Sequence, residues 1–260
     1  MQQRMIIAGN WKMNVGPEQA GELALTLAAS DATKAFLQAG GELVVCPPYL
    51  SIPIVVQRVR GSNMTVAAQN CHWEPNGAYT GEISATMLHT VGCTSTLVGH
   101  SEQRRDQGDT DQRVGARARA AARAGVQPII CLGETADEYG AGLTADVVSA
   151  QIDTIIEVAG VDSVRGALWA YEPRWAIGTG VTPTLEEIQS VHHLIRQRSR
   201  TYHGIDLPIL YGGSVNGDNA AEILSLSDVN GALVGGASIQ VAHFLSIVEH
   251  ALHAFRAQGS

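Results

Sequence analysis

The sequence predicts an α/β protein, a closed (β/α)8 barrel forming a single domain over residues 1–260. Three observations lead there. Eight short apolar runs punctuate the chain, at residues 5–8, 42–46, 65–68, 96–98, 127–131, 167–171, 209–211 and 231–234. Longer amphipathic stretches separate them, so strand and helix alternate about eight times. The 260 residues match the length that eight such units need in one barrel.

Each apolar run is nearly continuous rather than alternating, as parallel strands buried on both faces require. The helices carry their own signals. In residues 184–200, Ile188, Val191, Leu194 and Ile195 share one face, and Thr184 with Glu187 forms a capping-box pattern. Val148, Ile152, Ile155, Ile156 and Ala159 define a second helix, with Thr144 as its candidate cap. Residues 110–124 form an Ala/Arg-rich third. A doubly wound open sheet is the structural alternative, since no internal repeat decides closure. No Pro/Gly/Ser-rich linker divides the chain.

Composition narrows the function. A net charge of −8 argues against a nucleic-acid binder, which needs a basic face, but leaves room for a small anion held by local donors. Cys46, Cys71, Cys93 and Cys131 are widely spaced and form no C-x-x-C pair, so neither a zinc site nor a disulfide framework is expected. They read as small core hydrophobes in a reducing compartment. The N-terminus carries no secretory pattern, and no apolar stretch approaches a membrane span. A soluble cytoplasmic protein is expected.

In such a barrel the functional residues follow the strands. After the first run comes Lys12, one of only two lysines in the chain, the other being Lys34. It is either a point charge for a phosphate or a solvated surface lysine. After the fourth comes His100, either an acid, base or hydrogen-bond donor, or a satisfied core histidine. After the sixth comes Glu172, followed by Pro173, an apolar stretch and two glycines, Gly178 and Gly180. It is either a proton-transfer base under a lid over residues 173–180 or an ordinary loop glutamate. The seventh and eighth runs end in Gly212-Gly213-Ser214 and Gly235-Gly236-Ala237-Ser238. Paired glycines either expose backbone N–H groups to an anion or form turns; two such pairs after the last two strands favour a phosphate cradle. No H-E-x-x-H or similar ligand spacing points to a metal.

Taken together, these segments resemble the triosephosphate isomerase family. The resemblance rests on Gly9-Asn10-Trp11-Lys12-Met13-Asn14, Val98-Gly99-His100-Ser101-Glu102, Ala170-Tyr171-Glu172-Pro173 with Trp175-Ala176-Ile177-Gly178-Thr179-Gly180, Tyr211-Gly212-Gly213-Ser214-Val215 and Leu233-Val234-Gly235-Gly236-Ala237-Ser238. They occur in the family's order and span almost the whole chain. The resemblance implies interconversion of dihydroxyacetone phosphate and D-glyceraldehyde 3-phosphate without cofactor or metal. It implies Glu172 as base, His100 as neutral electrophile and Lys12 as the cation beside phosphate and enediolate. It further implies Asn10, Gly178, Ser214, Gly235 and Gly236 as substrate-binding residues, and Glu102 as a supporting acid. The base–imidazole pairing is the family's own standing assignment rather than a derivation from spacing. Residues 68–82 look like the family's interlocking loop, implying a homodimer through Thr80. Two positions depart from the family: Arg174 in the lid's first hinge, where valine is usual, and Gln103, where an arginine supports the dimer-side loops. The alternatives are an isomerase of a four-carbon sugar phosphate and a non-catalytic binding protein on the same barrel.

Overall fold

A computed structural model describes residues 4–177 and 181–258. Eight strands form the sheet: β1 Ile6–Asn10, β2 Glu42–Cys46, β3 Thr65–Ala68, β4 Ser95–Val98, β5 Gln127–Leu132, β6 Leu168–Tyr171, β7 Ile209–Tyr211 and β8 Gly231–Val234. Every neighbouring pair is parallel, and β1 pairs with both β2 and β8, with Ile6 opposite Glu42 on one side and Gly231 on the other. That last pairing closes the sheet and removes the open-sheet alternative.

The continuous apolar runs have a direct explanation in the two cores. Alternate residues such as Ile6, Ala8, Val44, Cys46, Leu168 and Ala170 pack together inside the barrel. Their neighbours Ile7, Leu43, Val45, Trp169 and Tyr171 pack outward against the helices. With both faces of each strand buried, no polar alternation is tolerated. Truncating one of these side chains, for example Leu168 to Ala, is expected to cost about 2–5 kcal/mol through lost contacts and a residual cavity.

The helices follow the expected signals closely, with one exception. Helix Leu185–His203 starts at a complete capping box: Thr184 accepts from the Glu187 N–H while Glu187 reaches back to the Thr184 N–H. Helix Asp111–Arg123 is capped by Thr110. Thr144 does not cap its helix. It is the first residue of helix Thr144–Ala159, and its hydroxyl donates instead to Glu134 Oε1 at 3.2 Å. The N-cap position falls to Leu143, whose side chain has no acceptor to offer the helix's first N–H groups. β1 also runs further than expected, because Gly9 and Asn10 stay in register with Val45 and Cys46. All four cysteines are free and buried, and burial pushes their thiol pKa values up. Among the described residues no helix is long and apolar enough to cross a membrane.

Candidate active site

The strands' C-terminal ends bring the predicted residues to one rim. Asn10, Lys12, His100, Glu172, Ser214, Gly235 and Gly236 all line a single cavity of about 500 Å³. Gly178, also expected there, lies outside the described residues, as do Thr179 and Gly180 of the expected lid. The described part of that segment, after Glu172, folds as a turn over residues 174–177.

Lys12 is held in an unusual backbone conformation, with φ at +51°. A side chain at positive φ is disfavoured and persists only where its surroundings hold it. Three contacts do so. The Lys12 N–H donates to Asn10 Oδ1 at 3.0 Å, an Asx-type turn. Its carbonyl accepts from Gln69 Nε2 at 2.7 Å. Its ammonium pairs with Glu102 Oε1 at 2.7 Å. Asn10 therefore shapes the lysine's turn as well as lining the cavity. Gly235 leaves room for the lysine, since a Cβ there would meet Lys12 Cε at 3.3 Å.

His100 and Glu172 form a buried pair, with His100 Nε2 2.9 Å from Glu172 Oε1. The other imidazole nitrogen, Nδ1, accepts the Glu102 N–H at 3.2 Å. An acceptor at Nδ1 carries no proton, so in the neutral ring the proton sits on Nε2, which donates to the carboxylate. Glu172 Oε2 accepts the Ser101 N–H at 2.8 Å. Both donating N–H groups, of Ser101 and Glu102, open the short helix that follows β4.

The electrostatics of the pair have opposing causes. Burial alone pushes the His100 pKa down, but the adjacent Glu172 carboxylate outweighs it and raises the value. For Glu172, burial pushes up, while His100, the Ser101 N–H and Lys12 outweigh it and hold the pKa below the ordinary carboxylate value. Glu172 is therefore ionised. A second proton on His100 would have to displace the Glu102 N–H from Nδ1. If Glu172 moves away, the main raising influence goes with it, and burial favours a neutral ring.

Two glycines make the placement of Glu172 feasible. Gly133, at φ +155°, follows β5 so close to the Glu172 carbonyl that a Cβ would fall 1.8 Å from its oxygen. At Gly212 a Cβ would meet Glu172 Cγ at 2.8 Å.

Two residues that depart from the family's usual pattern are also resolved. Gln103 Oε1 accepts from Asn70 Nδ2 at 3.1 Å, and Asn70 Oδ1 accepts from Arg117, which pairs with buried Asp109 at 2.6 Å. The link to the 68–82 loop is thus kept with a shorter side chain. Arg174 is half-buried, and burial, then neighbouring Arg104, lowers its pKa.

Sequence reasoning missed three contributors. The Ser101 N–H and Gln69 have no residue-type signal, because their roles come from backbone position and a carbonyl partner. Glu134 had a signal: Leu132-Gly133-Glu134 repeats the strand–glycine–polar pattern of Val98-Gly99-His100. It is fully buried, and its Oε1 accepts from Tyr171 Oη at 3.1 Å and Trp175 Nε1 at 2.9 Å, besides Thr144. His192, outside the site, is unlike His100: it is pushed down to about 4 by burial and rests its Nδ1 near Asp228 O. Among the described residues no cluster is arranged to hold a metal ion.

Comparison with known proteins agrees with this geometry. The family model described as triosephosphate isomerase matches residues 5–251. A triosephosphate isomerase of Bradyrhizobium diazoefficiens is 44% identical over 251 residues, covering 95% of this chain and 97% of that protein. One of Afipia carboxidovorans is 45% identical with the same coverage. The crystal structure of triosephosphate isomerase from Bartonella henselae superposes with a TM-score of 0.83 at 36% identity, covering 95% of this chain and 98% of that one. With the match running through every strand of the barrel and past Gly236, the chain belongs to the triosephosphate isomerase family.

Proposed function

We propose that this chain, as one domain, interconverts D-glyceraldehyde 3-phosphate and dihydroxyacetone phosphate by proton transfer through an enediolate. The observation that carries the reading is the pairing of an ionised, buried Glu172 with the Nε2–H of His100 at 2.9 Å, on the wall of a cavity that also holds Lys12. Family membership supplies the substrate class.

Each step follows from chemistry the site can supply. The reaction removes a proton from the carbon beside a carbonyl, which leaves negative charge on oxygen. Glu172 takes the proton. His100, donating from Nε2, and Lys12, as a cation, stabilise the oxygen charge. For this, Glu172 must give up Ser101 and His100, since both carboxylate oxygens are occupied at rest. Substrate then takes over the Nε2–H. His100 gives its Nε2 proton to the former carbonyl oxygen and takes one from the neighbouring hydroxyl, which moves the carbonyl along the chain as Glu172 returns its proton to the neighbouring carbon. The reaction is redox-neutral overall, since the hydrogen taken from one carbon is replaced on the next. The phosphate sits against Ser214, Gly235 and Gly236, with Gly178 as a further contact and Lys12 close to Gly235. Its binding energy can assist chemistry several bonds away.

We further infer a homodimer through the loop containing Thr80. Support comes from large apolar side chains left exposed: Met13 is 97% and Leu50 84% exposed. The loop itself is stiffened by His72, whose ring stacks on Trp73 at 4.2 Å and tilts against Tyr79 at 4.3 Å. A cytoplasmic location fits the free thiols and the metabolic chemistry.

The test is turnover by purified protein on three-carbon and four-carbon sugar phosphates, with light scattering on the same sample. Turnover confined to the triose phosphates and a mass twice 27.5 kDa are expected. Equal or better turnover of the four-carbon substrate would overturn the assignment, and a monomer of full activity would overturn the dimer.

A further inference from the structure

We propose that Tyr139 is a positioning residue for Glu172: acting through Trp175, it holds the turn after the base in its resting place and so opposes engagement of substrate. This rests on the reading that the Glu172 carboxylate must leave Ser101 and His100 before it can act.

The Tyr139 ring lies flat on the Trp175 indole, with centroids 3.9 Å apart and planes at 16°. Its hydroxyl donates to Glu187 Oε1 at 2.7 Å. Glu187 is itself fixed, because its other oxygen accepts from the N–H and hydroxyl of Thr184 at 2.7 and 3.0 Å, closing the cap of helix Leu185–His203. The ring is thereby anchored to a 19-residue helix. At its own end it sits on a short helix, Ala136–Gly140, that carries a second complete capping box from Thr135 and Glu138.

On the other side, Glu134 holds the same turn twice. Its carboxylate takes the Trp175 indole N–H at 2.9 Å, and its carbonyl takes the Arg174 N–H at 3.2 Å. Trp175 lies three residues after Glu172. A displacement of the base along its backbone therefore drags the indole across the Tyr139 ring. There is space for that movement: Tyr139 and Trp175 line a second cavity of about 510 Å³, shared with Tyr171 and Glu187. Tyr139 does not line the catalytic cavity, so it acts only through the turn.

A contact that favours the resting turn taxes every ligand that needs the engaged one. Tyr139→Phe keeps the stack and loses the anchor to Glu187. Tyr139→Leu loses both. KM for D-glyceraldehyde 3-phosphate and Ki for 2-phosphoglycolate should both fall, by about fivefold in Tyr139→Phe, the equivalent of one net hydrogen bond, and further in Tyr139→Leu. kcat/KM should not drop. A merely structural role predicts the reverse: weaker binding or lower kcat/KM as the variant loosens. Unchanged or raised KM and Ki in Tyr139→Phe overturn the proposal, and that variant decides alone if Tyr139→Leu does not fold. Failure of the base assignment is read separately, as retained activity in Glu172→Gln, because both tyrosine variants keep Glu172.

Discussion

Glu134 and Glu172 leave neighbouring strands of one barrel, at the same rim, and both are buried, yet their surroundings assign them opposite work. Glu134 follows β5 and turns toward the helices, where the hydroxyls of Thr144 and Tyr171 and the indole of Trp175 converge on one oxygen. Glu172 follows β6 and turns toward the cavity, where it meets one backbone N–H and one imidazole. The first carboxylate serves donors built into the wall. The second has a partner, the His100 Nε2–H, that a substrate oxygen can also use. Burial and position at a strand end are common to both; what separates them is an exchangeable partner facing a cavity, the feature on which the proposed role of Glu172 rests.

The sharpest way to break this comparison is to neutralise each carboxylate in turn. Glu172→Gln should lower kcat by about 10³-fold or more, within the range for a general base, while 2-phosphoglycolate still binds. Its stability should stay within about 2 kcal/mol of the parent, because removing a buried charge also removes its desolvation cost. Glu134→Leu should do the opposite. It orphans the Tyr171 hydroxyl and the Trp175 indole, each costing about 1–3 kcal/mol, so urea unfolding should show a loss of about 3 kcal/mol with kcat within about tenfold. A stable Glu134→Leu protein without activity would show that the two carboxylates are not divided in this way.

The smallest effect concerns pH. In the free protein the Glu172 carboxylate raises the His100 pKa. The proposed mechanism needs the neutral ring, so activity should fall as pH drops through that pKa. The acid limb of kcat/KM, which reports the free protein, should lie above the ordinary imidazole value. In the complex Glu172 has moved off His100, so the limb of kcat should lie at lower pH. Coincident limbs in steady-state profiles would mean that the pair does not separate.

How legible all this was depends on what each feature requires. The strands were readable because residues such as Leu168 and Trp169 bury alternate faces, which forces the whole run to be apolar. Closure was not readable, since it depends on Ile6 meeting Gly231 across nearly the full chain. Lys12, His100 and Glu172 could be picked out as strand-end polar residues, but each alone had an equally ordinary reading until the motifs stood together. Their actual partners were hidden. The Ser101 N–H is invisible to residue type, and Asn10 as a turn-former for Lys12 appears only once φ at Lys12 is known. Thr144 shows the same limit: its sequence context fits a cap, yet it lies one residue inside the helix, with its hydroxyl donating to Glu134, ten residues earlier.

The central claim is that Glu172 carries the proton, and the most direct test is isomerisation of D-glyceraldehyde 3-phosphate in D2O followed by proton NMR. The unaltered protein should form dihydroxyacetone phosphate with deuterium on C1 in part of the product, because a proton held by a carboxylate can exchange with solvent before it is returned. Glu172→Gln, shown by the same spectra to bind 2-phosphoglycolate, should form product at a rate lower by about 10³-fold or more. Deuterated product from Glu172→Gln at the parent's rate would contradict the account.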